Sequence, residues 1–197
     1  MSAYAHISLH YKFAISNVFE RFHSEGLIIL EDDMLVSPDF FGYFEKLIPI
    51  VIKDDTLIAA SAWNDNGKKT FAKDPNAVIR TSFFPGLGWF LPAKTWKSLG
   101  SKWPVAYWDD WLRDQMADLK KDCVYPEVSR TYTFGEKGSS GGQFFYEFLA
   151  NIQLNNKSVD WEQIDLSYIS RVSLPLPPTR SYPFWFSHLF LLLKNKV

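Results

Sequence analysis

Residues 27–41 read LIILEDDMLVSPDFF, and this stretch decides the fold. Four apolar residues in succession suit a strand of an α/β sheet covered on both faces, because a strand exposed on one side alternates apolar and polar residues. Three acids follow at once: Glu31, Asp32 and Asp33. Like charges beside a core are costly unless a cation or hydrogen-bond donors offset them. Then Ser37-Pro38-Asp39 offers a helix start, with a cap, a proline at the first position and an acid in the first turn, and the spacing predicts a helix to about Ile52.

Ligands of α/β sheets bind at the carboxyl ends of strands, where these acids lie. Oxygen-rich clusters suit hard divalent cations such as Mg²⁺ or Mn²⁺. Side-chain alternation would turn Glu31 and Asp33 one way and Asp32 the other. An acidic turn ahead of a helix is the competing reading, and the triplet alone does not choose between them.

The rest of the chain alternates in the same manner. Leu9, Phe13, Val18 and Phe22 predict a helix over 9–23 capped by Ser8, and TLIAASAW predicts the next strand. The Pro and glycines of FPGLGW (84–89) imply an irregular, closely approached backbone. Pro92 opens a short helix, Asp109 and Asp110 another; VYPEVSRTY predicts a strand, and 143–150 a further helix. This order is that of an α/β layered domain. It is expected to occupy residues 1–156, with 157–197 an irregular tail that is first Pro-rich (173–183) and then apolar (184–193). Ten residues containing Ser187 and His188 are too few to span a bilayer.

Two further clusters carry chemistry. In YWDDW (107–111), aromatic rings flank two acids, which offers a desolvated environment of the kind that prepares a general base; helix capping by Asp109 is the plainer alternative. FGEKGSSGGQ (134–143) has four glycines in eight residues and reads as a surface loop or a lid able to grip phosphate or sugar, although it is no P-loop. Cys123 is the sole cysteine and has no neighbouring base, so neither an intrachain disulfide nor a nucleophile is expected of it. The chain is 47% hydrophobic with a net charge of −1, and without a basic run it gives no reason to expect a nucleic-acid partner. Aromatics reach 17%, enough for stacking walls as well as a core.

Taken in order, EDDMLVSPDFFGYF, SAWNDNGK, FFPGLGW, KWPVAYWDDW, PEVSRTYTFGEKG and GQFF resemble the alpha-1,3-mannosyl-glycoprotein 2-beta-N-acetylglucosaminyltransferase family over residues 4–156. The resemblance implies a GT-A (Rossmann-like) nucleotide-sugar transferase domain using Mn²⁺. The implied reaction is inverting transfer of GlcNAc from UDP-GlcNAc to the 2-hydroxyl of a terminal α-1,3-mannose on a high-mannose N-glycan. By motif, Asp33 is implied as metal ligand, Asp109 as catalytic base, His10 and Asp32 as UDP contacts, and Glu31 as a contact of GlcNAc hydroxyls. Leu87 and Trp108 are implied to line the sugar pocket, and Ser140 to meet the diphosphate. The family setting is the Golgi lumen, reached as a type II membrane protein.

The sequence departs from the family in several places. The anchor, the stem and the first βα units, which hold much of the uridine site, have no counterpart here, and the second domain is largely missing. The expectation is a chain truncated at both ends with an incomplete donor pocket. The cysteine that pairs with the Cys123 position in the family is replaced within LIAASAWND by alanine (Ala59, Ala60), and Gly141 stands where the family commonly has histidine. Alternatives are a non-catalytic remnant that binds the full-length enzyme and an O-mannose β-1,2-GlcNAc transferase.

Overall fold

A computed structural model describes residues 2–138, 141–142 and 145–170. The acidic turn joins strands of two different sheets: β1 (Gly26–Ile29) before it and β2 (Met34–Val36) after it. The remaining strands are β3 (Leu57–Ser61), β4 (Val78–Thr81), β5 (Trp89–Pro92), β6 (Asp122–Pro126) and β7 (Thr131–Thr133). Five of them form a sheet ordered β1-β5-β3-β6-β4, in which only the β3–β6 pair is parallel; β2 pairs with β7 separately. The helices are α1 (Ala3–Phe22), α2 (Phe40–Lys53), α3 (Ala93–Leu99) and α4 (Trp108–Leu119).

The sheet has an apolar cluster on each face. On one side α2 contributes Phe40, Tyr43, Phe44, Leu47 and Val51, the stripe of a 3.6-residue period. On the other, Ile15 of α1, Leu99 of α3 and Leu112 and Met116 of α4 cover the sheet. This explains the unbroken LIIL run: Ile28 faces the α2 cluster, while Leu27 and Ile29 face the α1/α4 cluster. Full burial was expected, but β1 is partly exposed throughout because it is an edge strand. In β3 the register slips between Leu57 and Ala59. Ile58 and Ala59 thereby join one cluster, and Leu57 and Ala60 the other.

Several expected boundaries move, each for a tertiary reason. The first helix begins at Ala3 with Ser2 as its cap, because Ser8 is buried and donates to the Pro104 carbonyl at 2.7 Å. The second begins at Phe40: the Ser37 hydroxyl is turned to Asp39 (2.8 Å) instead of the helix amides. The single strand predicted from VYPEVSRTY is divided between β6 and β7, in different sheets. The helix expected over 143–150 is one π-turn, Phe145–Leu149. β2 was not foreseen, since three residues carry no readable period.

Residues 157–170 lack strands and α-helices but are not detached. They form 3-10 turns at Trp161–Gln163 and Ser167–Ile169, and Trp161, Leu166 and Ile169 complete the α2 cluster. The Pro-rich and apolar segments foreseen at 173–193 lie outside the described residues. Cys123 is buried and free, with Ala59 as its partner across the parallel pair. Burial pushes its thiol well above the ordinary range, which fits the expectation that it is no nucleophile. No described helix is long and apolar enough to cross a membrane.

Candidate active site

Glu31, Asp32 and Asp33 sit in the turn from β1 to β2, with Asp32 exposed and its two neighbours half-buried. The alternation expected of a strand does not apply here, because the acids lie in a turn: Glu31 meets Tyr11 of α1, while Asp33 meets Thr133 and Gly135. Asp33 is the most enclosed feature. Its backbone carbonyl accepts from Phe134 N at 2.9 Å, which extends the β2–β7 ladder by one rung. Its Oδ2 accepts from the Thr133 hydroxyl at 3.3 Å, and its Oδ1 is buried without a partner. Gly135 lies against the same carboxylate: a Cβ there would come within 1.9 Å of Asp33 Oδ2. The glycine is needed for that close approach.

Glu31 is gripped from α1. The Tyr11 hydroxyl donates to Glu31 Oε1 at 2.6 Å, and the Tyr11 ring stacks on Trp108 with centroids 4.4 Å apart. Burial raises the Glu31 pKa above the usual carboxylate range; the Tyr11 hydrogen bond opposes this, while the charges of Asp33, Asp109 and Asp32 reinforce it. Burial and the Glu31 charge likewise hold Tyr11 protonated, opposed by the neighbouring Trp89 indole N–H, which is buried without a hydrogen-bond partner. Segments 76 positions apart in sequence thus share one electrostatic neighbourhood, containing all three acids of the turn and Asp109.

In the second acid pair, Asp109 lies in the first turn of α4 after Tyr107, which adopts a left-handed conformation. It does not cap the helix. Nor does it have the desolvated setting anticipated for it: its side chain is 44% exposed and ion-pairs with Arg113 Nη1 at 2.9 Å. The same nitrogen holds Asp110 at 3.0 Å, while Arg113 Nε donates to the Phe84 carbonyl at 3.0 Å and the guanidinium lies 4.8 Å from the Phe83 ring centroid. Asp109 is therefore accessible and held in one orientation. Trp108 is the opposite case, buried between Trp89 and Trp103 with centroids 5.7 and 5.5 Å away. Its aromatic face supports Tyr11 as much as it lines any open space.

Leu87 lies between Gly86 and Gly88, and all three have positive φ. For leucine this conformation costs about 1 kcal/mol or more. It is held by hydrogen bonds on both sides: Ser61 Oγ donates to the Gly86 carbonyl at 2.7 Å, and Thr131 Oγ1 to the Leu87 carbonyl at 2.6 Å. His10 is exposed on α1 and makes no hydrogen bond to the described acids. Ser140 lies outside the described residues. Among the described residues no group of three His, Cys, Asp or Glu could hold a metal by itself. What is present is the partnerless Asp33 Oδ1, a hard oxygen that suits a hard cation completing its shell from a ligand and water.

Four contributors were not picked out from sequence: Tyr11, Arg113, Gly135 and Asp65. Gly135 and Asp65 sit inside motifs already quoted, and Arg113 lies two residues beyond YWDDW, at i+4 from Asp109, where a helix brings such pairs together. Tyr11 has no local signal. Asp65 accepts from Trp63 Nε1 at 3.0 Å; burial raises its pKa to about 6 against the opposing pull of Trp63 and Arg113. The residue keeps some exposed surface although its carboxyl is ringed by protein. A raised carboxylate favours the folded state only when protonated, so this contribution fades as pH rises from about 4 through about 6. Asp65→Asn is expected to stabilise the chain at pH 7 by at most about 3 kcal/mol and to flatten stability across that window, as urea unfolding at several pH values would show. An unchanged profile would mean that Asp65 is solvated.

A sequence model of the GNT-I family matches residues 1–175, beyond the point near 156 at which the motif resemblance ends. The chain is 51% identical over 170 residues to the alpha-1,3-mannosyl-glycoprotein 2-beta-N-acetylglucosaminyltransferase of Arabidopsis thaliana. That alignment covers 86% of this chain and 38% of the relative's length. By the extent of both matches, the chain belongs to the GNT-I family.

Proposed function

We propose that these residues form the catalytic centre of an inverting β-1,2-N-acetylglucosaminyltransferase of GT-A architecture, acting on UDP-GlcNAc and the terminal α-1,3-mannose of a high-mannose N-glycan. The observation that carries this reading is the convergence of Glu31, Asp33 and Asp109, with one Asp33 oxygen buried and unsatisfied. The mixed α/β sheet with helices on both faces and the relative's printed activity support it.

Asp33 would hold Mn²⁺ through Oδ1, with Gly135 and Thr133 fixing the other oxygen. When bound, the ion supplies positive charge beside a diphosphate leaving group. Glu31, kept in place by Tyr11, grips sugar hydroxyls, and Asp32 faces the nucleotide. Asp109, exposed and oriented by Arg113, takes the proton from the mannose 2-hydroxyl as that oxygen attacks the anomeric carbon. A single displacement by one oxygen inverts the centre, with a carboxylate base used as in inverting glycosidases. His10 contributes to UDP binding, Leu87 and Trp108 to the walls around the sugar, and Ser140 to the diphosphate side. The Golgi lumen is the proposed setting.

The test is transfer by a family-length protein carrying this chain, given UDP-GlcNAc, Mn²⁺ and a mannose-terminated N-glycan or, in parallel, a mannosyl peptide. A β-1,2-linked GlcNAc on the N-glycan is expected; product on the peptide alone would reassign the acceptor, and no product on either would defeat the reading. In the same assay Gly135→Ala is expected to raise the Mn²⁺ concentration needed for half-activity at least tenfold, because its Cβ must displace the Asp33 carboxylate. An unaltered Mn²⁺ dependence would remove Asp33 from the metal site.

A further inference from the structure

The loop that leads to Trp161 contains the tripeptide Asn156-Lys157-Ser158, the sole Asn-x-Ser/Thr triplet in the 197 residues. Such a triplet, with no proline in the middle, is the acceptor pattern for N-linked glycosylation, which further requires an asparagine the folded chain can leave in solvent. Both conditions hold. Asn156, Lys157 and Ser158 are all exposed and lie in neither helix nor strand. The Asn156 and Ser158 side chains make no hydrogen bond to the described residues.

The neighbouring asparagine shows why the loop presents this one outward. Asn155 is 2% exposed, and its amide donates to Asp39 Oδ1 and to the Lys157 carbonyl, both at 2.8 Å. Its own carbonyl oxygen accepts from Lys157 N at 3.2 Å, and its backbone N–H donates to Ser129 O at 2.9 Å. With Asn155 fastened inward and Val159 and Trp161 packed on the core, the three residues 156–158 are left on the outer surface. It crosses at the Asp39 end of β2, with Asp33 at the other end.

We propose that Asn156 carries an N-linked glycan. The co-reactant is a lipid diphosphate-linked oligosaccharide. Asn156 Nδ2 attacks C1 of its reducing-end sugar and loses a proton; the Nδ2–C1 bond forms, the C1–oxygen bond to the diphosphate breaks, and the diphosphate leaves with the electron pair. The proposal goes beyond the transferase reading and shares with it only passage through the secretory lumen. The test supplies that passage directly, so a failed transferase assay leaves this result unaffected.

The full chain behind a cleavable secretory signal is translated with microsomes, and only the protease-protected fraction is read by gel mobility with and without peptide-N-glycosidase. The expected result is one retarded band, restored by the glycosidase, lost in both Asn156→Gln and Ser158→Ala, and kept in Ser158→Thr, which retains the hydroxyl. Attachment precedes folding, so a variant that folds poorly still reports. A protected wild-type chain whose mobility the glycosidase does not change overturns the proposal, as does a glycosidase-sensitive shift that survives Asn156→Gln.

Discussion

In a family-length protein carrying this chain, Asp109→Asn is expected to lower kcat by on the order of 10²- to 10⁴-fold while leaving the dissociation constant for UDP-GlcNAc nearly unchanged. The substitution is close to isosteric. An asparagine carbonyl oxygen can still accept from Arg113 Nη1, which holds the native carboxylate at 2.9 Å, so the start of α4 and the Trp108 stack should keep their places. The lost feature is an anionic oxygen able to take a proton. Steady-state kinetics beside calorimetric donor titration separates the two effects. Turnover within tenfold of wild type would give the base role to another group, and a matching loss of donor affinity would make Asp109 a binding residue.

Arg130→Met is expected to destabilise the chain by about 3–5 kcal/mol, the cost of leaving one partner of a buried ion pair unpaired. Arg130 is fully buried; Nε and Nη2 donate to Asp39 Oδ2 at 3.1 and 3.0 Å, and Nη1 donates to the Val128 carbonyl at 2.6 Å. Nη2 also reaches the Pro75 carbonyl, and the guanidinium lies over the Tyr43 and Trp161 rings. Asp39 further accepts from Ser37, Asn155 and Trp161. Burial alone would raise the Asp39 pKa, but the Arg130 hydrogen bonds and charge, aided by Ser37 and Asn155, hold it below the usual range.

The sign on pH follows from that depression. The stabilisation is complete above the unfolded aspartate value of about 3.9 and is lost as pH falls through the lower folded value. Without the arginine the burial effect dominates, so the variant should gain stability as pH falls from neutral. Thermal unfolding at pH 7 and pH 4 measures both the loss and the reversal. A loss under about 1 kcal/mol, the size expected of an exposed pair, would contradict the buried geometry. Asp39→Leu combined with Arg130→Met should recover much of the loss, because no lone charge then remains. The pair also bears on the site: Ser37 N donates to the Arg130 carbonyl at 2.9 Å, and the β2–β7 ladder it closes carries Asp33 at its other end.

The two expectations differ in how they could be reached. Asp109 is visible in sequence because two acids between two tryptophans are conspicuous, and its partner Arg113 is one helical turn away. Arg130 is not, because its partner Asp39 lies 91 positions earlier and nothing in VSRTY distinguishes a buried arginine from one on a strand surface. The same holds for Tyr11, which reads as an ordinary helix residue until the fold sets it against Glu31.

The layered α/β class, the acids at the end of β1, the irregular glycine turn before β5 and the family were legible in the residues alone, because runs of apolar residues, adjacent charges and glycines act through local backbone and burial preferences. Packing alone made β1 an edge strand, paired β2 with β7 in a ladder, and turned the Asp39 carboxylate to Arg130 instead of the α2 amides. It also decided that Asp109 stands accessible beside an arginine while Trp108 is buried, and that one oxygen of Asp33 is left without a partner. These are pairings between positions far apart in the chain. Their energies depend on desolvation and hydrogen-bond geometry that exist only once the elements have packed.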